Sequence, residues 1–435
     1  MVKNKTVQNA AWMIGSKLIQ SLLGLLISMI TARYLGPANF GIINYASSIV
    51  TFLAPAAQLG LTGILVQELI LDPDREGEIL GTSVIASSAA ALLSGAGVFC
   101  FTMIANAGET EVILVCSVYS ILLLCQALDM IYYWFQAHLL SKYTSVISLA
   151  VYLLVAGYRI VLLATRQNVV WFALSYSLET GLAACSALIV YRRLYHGKFS
   201  FSVSRLKAMM QKSKYYIVSG LMIGVFAQTD RIMLKLMIDA SATGFYSAAV
   251  TIAGLTSFVF GAMLDSARPS VFQSKKNSQK EFEHHMGGLY ALIIYAALLQ
   301  SVFIFLFAKW IVLLLYGSAY QPTVTALKII VWYTTFSYVG AVRNIWLLAE
   351  GKQYLIWKID LSGALVNVCL NAVLIPAWGI NGAAAASLVT QLFANVVMGW
   401  ILKDIRPNNR IMLKSLDPRV LIRLIGSLKK DSGPL

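Results

Sequence analysis

Residues 41–65 read GIINYASSIVTFLAPAAQLGLTGIL, a run long enough to cross a bilayer that carries a polar or helix-weakening residue at every turn. Asn44, Ser48, Thr51, Pro55, Gln58 and Thr62 recur every three or four residues, so they share one stripe of a helix. Adding 203 to each number gives Ser247, Thr251, Gly254, Phe258, Gly261 and Asp265, inside another long apolar segment. The preceding segments match at the same offset, with Lys17, Ser21, Gly24 and Ser28 falling on Gly220, Gly224, Ala227 and Arg231. Two pairs of helices thus repeat one pattern of small and polar residues that lipid would not favour. The pattern fits walls of a shared, water-filled cavity between two halves, the arrangement of a transporter.

The whole chain is built for the same solvent. It is 58% hydrophobic and 12% charged, with a mean hydropathy of +0.73, outside the range of soluble domains. Twelve apolar stretches of spanning length lie between residues 11 and 402. They lack the alternation of barrel strands, and hydrocarbon solvates no peptide group, so helices are expected. The fold class is therefore all-α, a polytopic membrane protein of 12 transmembrane helices. The basic connector 192–214 divides it into an N-lobe of six helices (1–191) and a C-lobe of six (215–402). Six is even, so the lobes repeat in parallel about an axis near the membrane normal. A basic tail, 403–435, follows; from Asp417-Pro418 its apolar residues line one face, as in a helix lying on the inner leaflet.

The formal charge of +15 does not point to nucleic acid, because of where it sits. With the N-terminus inside, 24 of the 34 Lys and Arg fall in cytoplasmic segments and three (Arg33, Arg166, Lys309) in periplasmic loops. That asymmetry places both termini in the cytoplasm. The cluster Arg192, Arg193, Lys198, Arg205, Lys207, Lys212 and Lys214 reads as an orientation signal against anionic inner-leaflet lipid. The acidic run Asp72, Asp74, Glu76, Glu78 reads as a solvated cytoplasmic loop. The first span carries Lys17 and Gln20 with no small-residue cleavage site after it, and reads as an uncleaved anchor.

Enzymatic signatures are missing. The five cysteines fall within spans without ligand spacing and read as small buried hydrophobes. The four histidines have no Cys or carboxylate at metal spacing, and no GxSxG, P-loop or GxGxxG occurs. No catalytic residue, metal or cofactor is expected, and transport has to draw on an ion, voltage or substrate gradient.

Ionisable residues inside the spans are the site candidates, since a charge there needs water or a partner. Lys17 lies on the stripe of span one; Gln228, Arg231 and Lys235 share a face of span seven; Arg343, beside Asn344, lies in span ten. With Asn44 and Gln58 these form the expected substrate-binding set. Asp230 and Asp265 are the expected ion-coupling carboxylates, for H+ or Na+. Arg159 and Glu179 read as a structural ion pair within the N-lobe. Bases outnumber acids in this set, so the chamber should attract an anion, such as a lipid pyrophosphate bearing sugars, with Arg as its bidentate ligand.

Several stretches carry a family resemblance. TARYLGPANFGIINYASSIVTFLAP at 31–55, TDRIMLK at 229–235, GFYSAAV at 244–250, RNIWLLAEGKQ at 343–353 and IPAWGINGAAAASLVTQ at 375–391 resemble segments of polysaccharide-unit flippases. These are the Wzx-type members of the polysaccharide transporter family, within the multidrug/oligosaccharidyl-lipid/polysaccharide exporter superfamily. The resemblance implies two six-helix lobes around a cavity lined by helices 1, 2, 7 and 8. It also implies an undecaprenyl-pyrophosphate-linked oligosaccharide as substrate, flipped across the bacterial inner membrane for surface polysaccharide such as O-antigen, with a polymerase of the same pathway as a possible neighbour. An ion-coupled multidrug exporter of the same superfamily is the alternative, and would be expected to carry an acidic cluster in the N-lobe, which spans one and two lack.

Reporter fusions at Gly197 and Lys276 should be active only in the cytoplasm, and fusions at Gly108 and Asn381 only in the periplasm. A periplasmic readout from the 192–214 connector would overturn the twelve-span topology.

Overall fold

A computed structural model describes residues 2–195 and 197–422, without the side chains of 2–14, 16–18 and 22. Every regular element among them is helical. In chain order these are α1 (Val2–Ala57), α2 (Leu65–Leu71), α3 (Glu76–Ala105), α4 (Thr110–Leu128), α5 (Met130–Ala137), α6 (Ser141–Ala164), α7 (Val169–Leu194) and α8 (Val203–Met237). Then come α9 (Ala240–Ala253), α10 (Ser257–Asn277), α11 (Gln279–Leu315), α12 (Thr323–Ala349), α13 (Ile356–Leu392), α14 (Met398–Ile401) and α15 (Arg406–Lys414). Long apolar side chains such as Leu93, Ile104, Leu299, Trp310 and Leu314 stay exposed, as they do on a surface meant for acyl chains. The chain is a multi-pass helical membrane protein.

Eight helical segments among the described residues are long and apolar enough to span, or nine if the bent pair α9 and α10 is one span. The difference from twelve has a physical basis. At 1.5 Å per residue the 56 residues of α1 would run about 84 Å, far more than one bilayer. Gly36 breaks it with φ 73° and ψ 173°, directly before Pro37. Only glycine takes that left-handed conformation cheaply, and proline removes the next donor, so the segment divides there. α13 divides in the same way at Gly379, φ 56°, three residues after Pro376.

The chain forms two compact units, residues 1–244 and 245–435. In the first, α1 packs on α3, α4, α6, α7 and α8, around Ile42, Tyr45, Ile49, Val115, Tyr119 and Phe172. The basic connector and α8 lie inside this unit. Gly41 lies against the backbone of Ala240, and Gly244 against that of Pro37, so any Cβ there would push the segments apart. Small residues admit close helix contact where no water drives helices together. Gly220 and Gly224 of α8 do the same for α1, meeting Pro55 and Phe52. Part of the repeated stripe is therefore a helix-packing seam.

The acidic run is not a solvated loop. Asp72 pairs with Arg205 at 2.6 Å and Glu78 lies 3.6 Å from the same guanidinium. Glu68 pairs with Lys212 at 2.5 Å. Glu76 is buried, accepting a hydrogen bond from Trp134 Nε1 at 2.7 Å with His138 3.0 Å away. Two members of the basic cluster thus serve to hold α8 against the 68–78 segment. The cysteines also differ from expectation: Cys116 is buried, Cys125 half-buried, and Cys100, Cys185 and Cys369 are exposed on apolar helix faces.

The second unit packs α10 to α13 and α15 around Phe260, Phe282, Tyr290, Val342, Trp346 and Met412. Phe260 stacks on Tyr338 with centroids 3.9 Å apart, and Tyr290 Oη donates to Asn408 Oδ1 at 2.9 Å. A π-helical turn at Phe393–Val397 interrupts the normal ladder. The interfacial helix expected from Asp417 onward falls mostly on 423–435, outside the described residues.

Candidate functional site

The expected site residues divide between the two units. In the first, Asn44 and Gln58 stand on α1, half-buried. Asn44 Nδ2 donates to Phe40 O at 2.8 Å, and Gln58 Nε2 to Gln126 Oε1 of α4 at 3.2 Å. Gln228 and Arg231 share one face of α8, and Arg231 Nη1 donates to Gln228 Oε1 at 2.9 Å. The Nε of Arg231 is buried and makes no hydrogen bond among the described residues. A half-buried guanidinium held by one neutral amide keeps its full charge and most of its donors for an anion. Asp230, one residue earlier, is buried. The side chain of Lys17 lies outside the described residues.

Lys235, one turn beyond Arg231, is differently placed. Its ammonium is buried and contacts both carboxylate oxygens of Glu109, at 2.9 and 2.8 Å. Glu109 in turn accepts from Asn106 Nδ2 at 3.3 Å, and Asn106 Oδ1 accepts from Tyr45 Oη at 2.9 Å. The hydrogen-bonded ammonium holds the Glu109 carboxyl below its usual range. Glu109, just before α4, was not among the sequence candidates; its partner is 126 residues away, so no local pattern announces it.

In the second unit Arg343 is enclosed, 3% exposed. Its Nη1 donates to Ala394 O at 2.8 Å and Asn395 Oδ1 at 3.0 Å, and its Nη2 to Asn344 Oδ1 at 3.0 Å. The Ala394 carbonyl that Arg343 takes up lies in the π turn. Gly340, a turn earlier, leaves the room that the Asn395 side chain fills. Each charge-assisted bond is worth about 1.5–3 kcal/mol, so Arg343 ties α12 to the chain after α13. Asp265 is exposed and pairs with Arg268 at 3.2 Å on its own helix. Ser247 is buried and Gly261 half-buried. The Arg159–Glu179 pair is formed, at 2.9 Å. Among the described residues no group of three or more His, Cys, Asp or Glu is arranged to hold a metal.

The fold these helices make is that of multidrug/oligosaccharidyl-lipid/polysaccharide exporters. A structure titled as the lipid II flippase MurJ in an inward closed conformation superposes with a TM-score of 0.72 at 13% identity, covering 98% of this chain and 94% of that one. An inward-facing MATE-family multidrug transporter of the MOP superfamily superposes at 0.67 and 14% identity, covering 91% and 96%. Residues 6–275 match the family described as Polysaccharide biosynthesis protein, and the chain belongs to that family. Among curated relatives, the succinoglycan biosynthesis transport protein ExoT of Rhizobium meliloti is 26% identical over 290 residues, 64% of this chain. The probable low-salt glycan biosynthesis flippase Agl15 of Haloferax volcanii is 23% identical over 190 residues, 43% of this chain. The matched stretches span 57% and 40% of those relatives' own lengths.

The two sides of the Lys235–Glu109 pair are not equivalent. The Lys235 side chain is 5% exposed and that of Glu109 48%, so removing the acid strands a buried ammonium, whereas removing the base leaves a carboxylate in reach of water. Glu109→Ala should therefore lower the apparent Tm of the purified protein more than Lys235→Met. Because the Glu109 pKa is depressed, its contribution is fully present above the ordinary carboxyl value of 4.5 and is lost as pH falls through the folded-state value. The wild-type minus Glu109→Ala difference in Tm should be constant from pH 6 to 8 and shrink on acidification below about 4.5. Equal loss in both variants, or a difference that grows on acidification, contradicts this.

Proposed function

We propose that the chain is a flippase that moves undecaprenyl-pyrophosphate-linked oligosaccharide units from the inner to the outer leaflet of a bacterial inner membrane. The observation that carries this reading is membership of the Polysaccharide biosynthesis protein family over 6–275, in a chain whose helices are long and apolar enough to span. The names of the relatives, a succinoglycan transport protein and a glycan flippase, agree with it. Twelve spans in two lobes, with both termini cytoplasmic, complete the arrangement, and transport proceeds by alternating access coupled to an H+ or Na+ gradient. The chain is a carrier rather than an enzyme, and a polymerase of the same pathway would receive its product.

In this reading Arg231 meets the pyrophosphate, supported by Gln228, with Lys17 adding positive charge and Asn44 and Gln58 facing sugar hydroxyls. Lys235 is held by Glu109 and Arg343 by the Ala394–Asn395 turn, so both act by fixing helices rather than by direct contact. Ion coupling falls to Asp230 in preference to Asp265, whose carboxylate is exposed beside Arg268. The alternative is an ion-coupled multidrug exporter, favoured by the MATE-like fold. The two differ in the charge they would attract, since a cationic drug is repelled by an uncompensated guanidinium.

Arg231→Ala should abolish complementation of surface polysaccharide in a strain lacking the gene, with normal amounts of protein in the membrane. Arg231→Lys should restore it only partly, because an ammonium keeps the charge and loses the bidentate fork. Full complementation by Arg231→Ala at native expression contradicts the assignment of the pyrophosphate site.

A further inference from the structure

The second unit holds a cavity of about 230 Å³ that none of the expected site residues lines. It lies where α9 gives way to α10, two helices bent by 41° across residues 254–256. α9 is 14 residues long, about 21 Å, so the break falls inside a hydrocarbon core about 30 Å thick. Gly254 and Ser257 line the cavity at the break, and Tyr333, Thr334, Ser337 and Tyr338 line it from α12. Five hydroxyls thus meet at membrane depth, and among the described residues no charged side chain joins them. Thr334 spends its proton on Val331 O at 2.7 Å and keeps its lone pairs. Gln300 Nε2 of α11 donates to Ala253 O, at the end of α9, at 3.3 Å. Its Oε1, Thr256 Oγ1 and Tyr338 Oη are all buried and unpaired among the described residues. Thr256 and Gln300 lie beside the phenol without reaching hydrogen-bond geometry. The stack on Phe260 fixes the Tyr338 ring and so holds the hydroxyl where it is.

Buried polar atoms without partners are costly, and three beside one cavity need an occupant that both gives and takes hydrogen bonds. An acyl chain would leave them unpaired. A pyrophosphate or a cationic drug would lose its water there and meet no opposite charge. The volume is also below the roughly 300–1,000 Å³ of sites that enclose drug-sized molecules. A single sugar ring meets every condition. It is uncharged, it carries donors and acceptors around its rim, and its C–H face suits an aromatic ring. We propose that this cavity recognises one uncharged sugar residue of the carried glycan. Tyr338, Ser337 and Ser257 take its hydroxyls, and Tyr333 lies against its C–H face. The proposal rests on the flippase reading and deepens it. A pyrophosphate is common to every lipid-linked glycan and cannot tell them apart, whereas a cavity free of charge rejects acidic sugars.

The test uses the full chain, purified and placed in liposomes. Three fluorescent undecaprenyl-pyrophosphate lipids are offered, bearing a disaccharide of glucose, of N-acetylglucosamine or of glucuronic acid, and flipping is followed with an impermeant quencher. Wild-type protein should flip the better neutral lipid about tenfold faster than the uronate, or more. Tyr338→Phe and Ser337→Ala should each slow that neutral lipid several-fold and bring the ratio toward one. Tyr338→Phe should melt no lower than wild type, because the hydroxyl it removes has no partner in the fold to lose. A lower Tm for Tyr338→Phe would mark that hydroxyl as structural and overturn the proposal. Equal flipping of all three lipids by wild type, or an unchanged ratio in both variants, means that the cavity holds only water. Either result overturns the sugar site and leaves the flippase reading standing. If wild type flips none of the lipids under any imposed proton or sodium gradient, the flippase reading falls and the sugar site falls with it.

Discussion

Hydrocarbon solvates no peptide group, and the long helices of this chain break under that constraint. The chain departs from helical geometry where glycine permits it, at Gly36 and Gly379, each within three residues of a proline. Inside the second unit the ladder turns π-helical at Phe393–Val397, and a carbonyl of that turn accepts a hydrogen bond from Arg343. The same constraint acts on side chains. Buried Lys235 is paired with Glu109, buried Arg159 with Glu179, and buried Glu76 with Trp134 and His138. Groups left out of such pairings therefore stand out: the Nε of Arg231 and the hydroxyl of Tyr338.

These exceptions separate structural charge from available charge. A basic residue whose donors are consumed by its own fold holds helices together and has little left for a ligand. Lys235 and Arg343 belong to that kind. Arg231 does not, since a single amide contact to Gln228 uses one of five donors. A lipid pyrophosphate gives up part of its hydration on entering a chamber, and a guanidinium of this kind replaces it without a prior ion pair having to be broken. The proposed anion site thus narrows from four bases to Arg231, with Lys17 beside it in the sequence argument.

The fold class was legible in the sequence because apolar length and helical spacing are local properties. The Arg159–Glu179 pair was legible too, since two opposite charges at membrane depth demand each other. What was not legible depended on distance along the chain. Asp72 and Glu78 looked solvated because their partner, Arg205, lies more than 120 residues away. Glu109 was missed for the same reason. The polar stripe misled in part: Gly220 and Gly224 are small because α1 lies against them, a packing demand with the same periodicity as a cavity wall.

The central claim is that the protein carries a lipid-linked glycan between leaflets, and the direct measurement is made with purified protein in liposomes. A fluorescent undecaprenyl-pyrophosphate oligosaccharide is incorporated, and the fraction reached by an impermeant quencher is followed after its addition. The account predicts that quenching proceeds from one leaflet's share to nearly the whole pool with wild-type protein, and stops at one leaflet's share with Arg231→Ala. Quenching that stops at one leaflet's share with the wild-type protein under every imposed proton and sodium gradient, while the same vesicles extrude a cationic dye, would contradict it in favour of a drug exporter.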